Sequence, residues 1–339
     1  MSQWAIVADD LTGALDAAAP FAARGLRTLV ALDAAAVPEC LAQSPQVLGI
    51  CSNSREVSAE AAAAAVQACL AQLPSEIRLF KKIDSRLKGN IAAELDAIGA
   101  EHALVVPAIP AFARWVRNQY LGGFGVAEPI DIAKSLGRYA GTASIPDIET
   151  QADIAAALAG APQHLPVGAR GLAESLATQL APAAVAADQA VPAGPIIFVI
   201  GSVDPITKAQ LAALREAAPD LVYIAAPNGI GPEVLPERGA ITLIEATAGA
   251  ESAAPEAVAQ ALAKTLARLQ PQADDTLVLS GGATAQALLQ HLGIKVLQLL
   301  GEVQPGLPLA RAHGLTIITK SGGFGDRHTL ARLVEARGV

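Results

Sequence analysis

The sequence predicts an α/β protein with two lobes, each built on a mostly parallel sheet flanked by helices. Short apolar runs alternate with helical patterns along the chain, which is typical of parallel sheets covered by helices on both faces. The length of 339 residues, with 52% hydrophobic residues, is enough for about two domains. The segment 181–194 has the composition of a linker and predicts an N-terminal domain of residues 1–190 and a C-terminal domain of residues 195–339.

The first domain is predicted to contain five strands separated by helices. Thr12 is expected to cap the helix after the first strand, which ends near Gly25, and Ser58 to cap an alanine-rich helix over 59–73. Hydroxyl oxygens suit this position because they accept hydrogen bonds from the free N–H groups of a first helical turn. A third helix is predicted over 90–99. The strands are predicted at WAIVA (4–8), RTLVAL (27–32), QVLGIC (46–51), IRLFKKI (77–83) and ALVV (103–106).

The second domain repeats the alternation but not the sequence. Helices are predicted over 205–217, 253–269 and 283–291, where apolar residues recur at helical spacing. The strands are predicted at PIIFVIGS (195–202), 221–224, 241–244, TLVLSGG (276–282), KVLQLL (295–300) and the start of LTIITKSGGFGD (315–326).

The composition argues against several classes of protein. No stretch of about 18 strongly apolar residues occurs, and the first residues lack a basic region followed by a long apolar run. We therefore expect a cytoplasmic protein with no membrane partner. The three cysteines have no CxxC spacing, which argues against a disulfide framework and a zinc site. A net charge of -8 with 3% aromatic residues is a poor basis for binding nucleic acid.

Charged residues collect where the strands of the first domain end. Asp9 and Asp10 follow the first strand, Arg55 follows the third, and KKIDSRLKGN (81–90) follows the fourth. Ligands of open α/β sheets lie outside the carboxyl ends of the strands, and free N–H groups at a strand-to-helix junction favour an anion. Each residue taken alone is equally typical of a helix cap or a solvated turn. Together they predict an anion site in an otherwise acidic protein.

Glycine replaces charge at the strand ends of the second domain. GSVDP (201–205), SGGAT (280–284) and KSGGFGD (320–326) each follow a predicted strand. Glycine lets the backbone approach phosphate oxygens and offer N–H donors, although it also serves ordinary turns. The patterns GxxxxGK[ST], GxGxxG after a strand, HExxH and GxSxG do not occur, so the common nucleotide, zinc-peptidase and serine-hydrolase motifs are missing.

Seven blocks along the chain resemble the four-carbon acid sugar kinase family and occur in that family's order. They are ADDLTGALDAA, NSREVSAEAA, KKIDSRLKGN, GSVDPITKAQL, SGGATAQALL, GEVQPGLPLA and TIITKSGGFGD. The resemblance implies an N-terminal domain that binds a tetronate such as threonate, erythronate or 3-oxo-tetronate, and a C-terminal domain that binds ATP. It implies transfer of phosphate from ATP to a hydroxyl of the acid, in a cleft between the lobes, with Mg²⁺ accompanying ATP. A homodimer is left open.

The resemblance also assigns residues to the two ligands. Arg55 and Lys82 are expected to hold the substrate carboxylate, and Asp84 or Asp10 to accept the hydroxyl proton as general base. No metal ligand is assigned. The residues expected to bind the sugar acid are Asp10, Arg55, Lys82, Ile83, Asp84, Ser85, Arg86 and Asn90. The residues expected to bind ATP are Ser202, Gly281, Gly282, Ala283, Thr284, Gly322, Gly323 and Gly325.

Two other functions are left open by the sequence. A protein that binds or senses a sugar acid without transferring phosphate is favoured by Ala283, because family members usually carry an acidic residue there. A dehydrogenase is the second alternative, since a fold does not determine a function, but the missing dinucleotide motif argues against it. Arg86, where the family usually has threonine, and the divergent segment 107–150, whose pattern loosens, leave the identity of the sugar acid undetermined.

Overall fold

A computed structural model describes residues 3–183 and 189–335, and its strands and helices confirm the predicted α/β fold class. The chain divides into two units, Met1–Ala186 and Ala187–Val339. Residues 184–188 of the predicted linker lie outside the described residues. Within the described ranges, no helix combines the length and apolar composition that a membrane span requires.

The main sheet of the first unit is entirely parallel, with strand order β2-β3-β1-β4-β9-β5. On it, helix α1 packs against α7 and helix α3 against α4. The strands of this unit are β1 (Trp4–Ala8), β2 (Thr28–Ala31), β3 (Val47–Cys51), β4 (Arg78–Lys82), β5 (Ala103–Val106), β6 (Arg114–Arg117), β7 (Tyr120–Gly123), β8 (Ile130–Asp131) and β9 (Leu165–Gly168). The helices are α1 (Leu11–Ala23), α2 (Val37–Ala42), α3 (Ala59–Leu70), α4 (Ile91–Ile98), α5 (Ile132–Leu136), α6 (Gln151–Gly160) and α7 (Arg170–Leu180).

The register of the central strands places three loops side by side. Ala8, the last residue of β1, lies opposite Cys51 at the end of β3 and opposite Lys82 at the end of β4. The chain leaves β1 toward β2 and β3 on one side and later crosses to β4 on the other. The residues that follow these three strands therefore meet at the reversal point of the strand order, where α/β sheets commonly bind ligands.

The start of α1 corrects one prediction. Asp10, not Thr12, is the N-cap, because its extended backbone lets Oδ1 accept the Gly13 N–H at 2.8 Å. Thr12 lies inside the first turn, where its hydroxyl donates to Asp10 Oδ2 at 2.8 Å. The predicted cap of α3 is confirmed, since Ser58 Oγ accepts the Ala61 N–H at 3.3 Å.

The segment 107–150 is more ordered than its sequence pattern indicated. It contains an antiparallel sheet of order β6-β7-β8 and the short helix α5. The strands of this sheet have at most four residues, too few to show a period. This small sheet contributes Arg114, whose guanidinium reaches Ser85 in the turn after β4.

The sheet of the second unit has the order β11-β12-β10-β13-β16-β15-β14 and is parallel from β11 to β16. An antiparallel β14-β15-β16 region completes it. Strand β15 had not been predicted. The strands are β10 (Ile196–Ile200), β11 (Val222–Pro227), β12 (Ile241–Thr247), β13 (Thr276–Ser280), β14 (Val296–Gln304), β15 (Leu307–Ala312) and β16 (Leu315–Lys320). The helices are α8 (Pro205–Ala217), α9 (Pro255–Arg268), α10 (Gly282–His291) and α11 (Thr329–Glu335).

The three glycine loops of the second unit also lie side by side. Ser280, at the end of β13, is opposite Ile200 at the end of β10 and opposite Lys320 at the end of β16. The core beneath these strand ends is apolar and includes Phe198, Val278 and Ile318, all fully buried. A rigid apolar layer therefore supports the backbone at the positions where the glycines follow.

Candidate functional site

The strand ends of the first unit gather Asp9, Asp10 and Asp84 around the guanidinium of Arg55. Arg55 Nε and Nη2 donate to the two carboxylate oxygens of Asp9 at 2.8 and 2.9 Å. Arg55 Nη1 donates to Asp10 Oδ2 at 2.7 Å, and Asp84 Oδ2 lies 3.7 Å from Nη2. We call these four residues the Arg55 cluster. Its one cation faces three carboxylates.

The charges of the cluster reinforce one another. Burial alone would raise the pKa of Asp9, but hydrogen bonds and positive charge from Arg55, together with Lys81 and Lys82, hold that pKa below its ordinary value. Burial alone would lower the pKa of Arg55, whereas the hydrogen bond with Asp9 and the charges of the aspartates raise it. Both groups are therefore charged at neutral pH, and Arg55 acts as the fixed counter-ion of Asp9.

The side of the Arg55 guanidinium that could bind a substrate carboxylate through two hydrogen bonds already contacts a carboxylate of the protein. Nε and Nη2 form the edge of a guanidinium that binds a carboxylate through two parallel hydrogen bonds. In this structure that edge is occupied by Asp9. The bidentate role predicted for the substrate carboxylate is thus filled by a residue of the protein.

Lys82 supplies a second cation at the same strand ends. Its side chain is 4% exposed, and Nζ donates to the Ile83 carbonyl oxygen at 2.9 Å. A Cβ atom on Gly13 would lie 3.1 Å from Nζ, so the ammonium lies against the first turn of α1. Among the described residues Lys82 forms no ion pair within 4.0 Å. An ammonium has three donors, and two of them remain for an anion.

The two predicted bases differ in how free their carboxylates are. Both oxygens of Asp10 accept hydrogen bonds, from Gly13, Thr12 and Arg55. Asp84 Oδ1 accepts the Arg86 N–H at 2.8 Å, whereas Oδ2 has only the 3.7 Å contact with Arg55. Asp84 Oδ2 is therefore the more available proton acceptor.

The remaining predicted residues of the first unit divide between the site and its support. Ser85 lies in the turn after β4 and accepts a hydrogen bond from Arg114, while Arg86 is exposed. The Ile83 side chain is fully buried, its N–H donates to the Gly168 carbonyl oxygen and its own carbonyl oxygen accepts from Lys82, so Ile83 supports the strand end. The Asn90 amide donates at 2.9 Å to carbonyl oxygens of residues 54 and 57 and thereby holds the loop that carries Arg55.

A fully buried ion pair behind the cluster was not predicted. Lys81 Nζ lies 3.0 Å from Glu94 Oε2, with side-chain exposures of 0% and 1%. The other Glu94 oxygen accepts the hydroxyl of Ser54, the residue before Arg55. Lys81 was part of the charged decapeptide, but no sequence pattern showed that it points into the core.

Five of the eight predicted ATP residues of the second unit border a cavity of about 870 Å³. Gly281 has a φ of 107° and is the N-cap of α10, and it makes no side-chain capping hydrogen bond to the first turn. The first N–H groups of a helix have no partner within the helix, so those of α10 are available at the cavity. The predicted residues that line it are Ser202, Gly281, Gly282, Ala283 and Thr284.

The glycine loop after β16 surrounds the ammonium group of Lys320, a residue to which the sequence assigned no role. Lys320 is 1% exposed, and its Nζ donates to the carbonyl oxygens of Ser321, Gly322 and Phe324 at 2.8, 2.9 and 3.3 Å. It also donates to Thr207 Oγ1 at 3.3 Å. The loop carbonyl groups thus turn inward to the ammonium. Burial lowers the pKa of Lys320 to about 8, although Asp204 opposes this shift.

The glycines of this loop occupy different surroundings. A Cβ on Gly322 would lie 2.5 Å from Ser202 Oγ, whereas one on Gly323 would meet only Asp204 Oδ2 at 3.4 Å. Gly325 has a φ of 84°. These three glycines do not border the cavity within the described part of the chain, but Gly322 touches Ser202, which does.

The sequence did not indicate the other polar residues of the cavity. Lys208, Asn228 and Glu245 contribute to its wall, and Asn228 holds the neighbouring loop by donating to the Glu251 carbonyl oxygen at 2.8 Å. Residues 3–183 and 189–335 contain no group of three or more His, Cys, Asp or Glu residues placed to hold a metal ion.

Each of the two units contains a segment that matches a known protein domain. Residues 4–131 match the model of a sugar-binding N-terminal domain, and residues 232–330 match that of a nucleotide-binding C-terminal domain. The D-threonate kinase of Cupriavidus necator is 31% identical over 405 aligned positions, which cover 96% of this chain and 96% of that protein. The 3-oxo-tetronate kinase of Brucella melitensis is 28% identical over 413 positions, covering 94% and 92%. Both alignments exceed the 339 residues of this chain, so both relatives contain segments that it lacks.

A solved structure shares the fold. The crystal structure described as a putative tRNA synthase from Salmonella typhimurium LT2 has a TM-score of 0.72 over 98% of both chains, with 21% sequence identity. At that identity the likeness establishes the fold alone. The match to the sugar-binding domain includes the whole Arg55 cluster, and the match to the nucleotide-binding domain includes the start of α10 and the loop around Lys320.

Proposed function

The chain belongs to the four-carbon acid sugar kinase family, and we propose that it transfers a phosphoryl group from ATP to a hydroxyl of a four-carbon sugar acid. The observation that carries the proposal is the glycine-capped start of α10 at a cavity of about 870 Å³. This cavity lies in the domain whose relatives bind nucleotides. The threonate and 3-oxo-tetronate kinases among the relatives support the choice of acceptor.

The second unit would bind the phosphates of ATP mainly through its backbone. The N–H groups at the start of α10 and the positive end of the helix dipole favour an anion. Ala283 supports this use despite the missing acidic residue, because a backbone N–H does not depend on the side chain. Ser202 and Thr284 would add hydroxyl groups at the same wall of the cavity. Without a carboxylate at position 283, the first turn of α10 carries no charge that would repel phosphate.

The first unit would bind and activate the acceptor. Asp84 would take the proton from the substrate hydroxyl at its free Oδ2 atom, as the new oxygen–phosphorus bond forms and the bond from phosphorus to ADP breaks. Asp10 would keep the start of α1 and the Arg55 guanidinium in position through the contacts of both its oxygens. Lys82 would offer two N–H donors to the anionic substrate.

Mg²⁺ would enter with ATP and neutralise charge on the transferred phosphate. Such an ion is usually held by substrate phosphates with one or two carboxylates. Glu251 borders the cavity and is a carboxylate that would complete its shell, whereas Glu245 on the same wall is paired with Arg215. Because ATP is the phosphate donor, we expect the protein to act in the cytoplasm.

A coupled assay of ADP release tests the proposed function. We would offer D-threonate, D-erythronate, a 3-oxo-tetronate and two five-carbon sugar acids with ATP and Mg²⁺, and expect turnover with at least one four-carbon acid. Calorimetric binding of an acid without turnover of ATP would instead support the sensing alternative. A change in NAD(P)H absorbance with any of these acids would support the dehydrogenase alternative.

A further inference from the structure

Arg114, the first residue of β6, extends from the small antiparallel sheet to the turn after β4. Its Nη1 donates to Ser85 Oγ at 2.6 Å, and its Nε and Nη2 donate to the Phe124 carbonyl oxygen at 3.1 and 3.0 Å. The residue is 8% exposed. A segment for which the sequence predicted no regular structure thus places a buried guanidinium in contact with Ser85, the residue after Asp84.

Arg114 lacks the acidic partners that Arg55 has. In the described ranges no carboxylate oxygen lies within 4.0 Å of its guanidinium, whereas Arg55 has three aspartates within that distance. Its hydrogen bonds go to neutral oxygens only. Buried arginines normally have anionic partners, because the charge is costly to remove from water.

The electrostatic surroundings agree with this geometry. Burial lowers the pKa of Arg114 and the positive charge of Arg86 acts in the same direction, while Asp84 and Asp16 partly oppose them. Two of the five N–H donors of the guanidinium have no acceptor among the described residues. A planar cation with free donors is well suited to a carboxylate.

We propose that Arg114 binds the carboxylate of the sugar acid and selects acids over uncharged polyols. This inference rests on the proposed function, since it names the residue that recognises the charged end of the acceptor. Arg55, to which the sequence assigned this role, instead holds the aspartates. Ser85 orients the Arg114 guanidinium beside the proposed base, so the carboxylate would be fixed close to the hydroxyl-activating group.

The test compares Arg114→Met with Arg117→Met on the same strand. Arg117 is a matched control because its side chain is 51% exposed and pairs with Glu149, which is 56% exposed. For each variant kcat/KM is measured with D-threonate, or with the acid that the wild type uses best, and with threitol, which replaces the carboxylate by a hydroxymethyl group. Thermal melts verify folding, and the KM for ATP reports on the second unit.

We expect Arg114→Met to lower kcat/KM for the acid by about 30-fold or more, the scale for losing one partner of a buried charged hydrogen bond. The value for threitol and the KM for ATP should change by less than about 3-fold, and Arg114→Lys should restore part of the loss because it keeps the charge. Arg117→Met should behave as the wild type does. Equal losses for acid and threitol would overturn the inference, as they would show that Arg114 only supports the local structure.

Calorimetry without ATP separates this inference from the proposed function. If the wild type binds a sugar acid but does not turn over ATP, the kinase proposal fails, and weaker binding by Arg114→Met alone still supports the role of Arg114. Equal binding by the wild type and Arg114→Met overturns it. If the wild type binds none of the acids tested, both proposals fail.

Discussion

The two units differ in the kind of hydrogen-bond donor that they present at their strand ends. In the first unit the donors are side chains, and Arg55 is surrounded by the carboxylates of Asp9, Asp10 and Asp84. In the second unit the donors are backbone N–H groups, and the buried cation Lys320 bonds only neutral oxygens. One site is assembled from opposite charges and the other from loop geometry.

This difference decides how each site should respond to substitution. Removing Arg55 leaves the carboxylate of Asp9 buried without its main partner, so the fold itself should be destabilised. Adding a methyl group to a glycine loop obstructs a ligand but leaves the core beneath it intact.

Arg55→Ala is expected to have the largest effect, because it leaves the carboxylate of Asp9 charged and 2% exposed. Removing one partner of a buried ion pair typically costs about 3–5 kcal/mol. We expect a loss of that size in the free energy of unfolding, measured by urea denaturation. Arg117→Ala, which breaks an exposed pair with Glu149, should cost no more than about 1 kcal/mol. Similar losses in the two variants would refute the idea that Arg55 holds the first unit together.

The same variant should change the response to acid. In the wild type the pKa of Asp9 lies below its ordinary value of 3.8, so its stabilising contribution is present above pH 3.8 and is lost as the pH falls through the lower, folded value. Without Arg55, burial would dominate and raise this pKa. The acid side of the stability curve should therefore shift to higher pH in Arg55→Ala.

Asp84→Asn should lower kcat by about 100-fold, the usual scale for losing a general base, with little change in stability or in the KM for ATP. The Arg86 N–H can still bond Oδ1 of the amide, so the turn is preserved. Asp10→Asn serves as the comparison, because it replaces the Oδ2 atom that accepts from Thr12 and Arg55 by an amide donor, which should reduce stability more than Asp84→Asn does, although Asn can still cap α1. If Asp10→Asn abolishes kcat while Asp84→Asn stays near normal, Asp10 is the base.

Gly322→Ala tests whether a substitution in the second unit can weaken ATP binding without lowering the free energy of unfolding. Its Cβ would lie 2.5 Å from Ser202 Oγ, whereas that of Gly323→Ala would meet only Asp204 Oδ2 at 3.4 Å. We expect Gly322→Ala to weaken ATP binding by about tenfold, or about 1.4 kcal/mol, and Gly323→Ala to change it little. A fall in unfolding free energy as large as that of Arg55→Ala would break the contrast between the units.

Much of the fold and the meeting of charged residues in the first unit could be predicted from the sequence. Strand β5 and helix α8 occur at the predicted residues, because apolar runs and caps are local signals. The meeting of Asp9, Arg55 and Asp84 follows from the rule that carboxyl ends of parallel strands share one edge. Neither conclusion needs the direction of a side chain.

The sequence could not predict side-chain partners or the structure of segments without a hydrophobic period. Whether Arg55 would bond Asp9 or a ligand depends on loop geometry that residues far apart in the chain determine together. Arg114 reaches the site from a four-residue strand, which is too short for a hydrophobic pattern. Lys320 is the last residue of a strand of six buried residues. Nothing in the sequence indicated that its ammonium would bond the carbonyl groups of the loop that follows.

At about pH 8 the response of Lys320 should be the smallest of these effects and the one most specific to the second unit. Its pKa is lowered from 10.5 to about 8, so the folded protein releases this proton before the unfolded chain does. Below pH 8 both states are charged and the cost of burial is present in full. Between about pH 8 and 10.5 the unfolded state binds more protons, so this residue makes the free energy of unfolding rise with pH.

ATP affinity should move in the other direction over the same range. The protonated Lys320 side chain turns the loop carbonyl groups inward, and its neutral form donates fewer hydrogen bonds to them, so we expect affinity to fall by about twofold at pH 8 and about fourfold at pH 8.5. Calorimetric titration of ATP and urea denaturation at matched pH values would measure both trends. Lys320→Met should remove the pH dependence of each, even where its absolute affinity is lower. If ATP affinity in the wild type is constant from pH 7 to 9, the charge of Lys320 does not organise the loop, and the backbone of the second unit is held by its core alone.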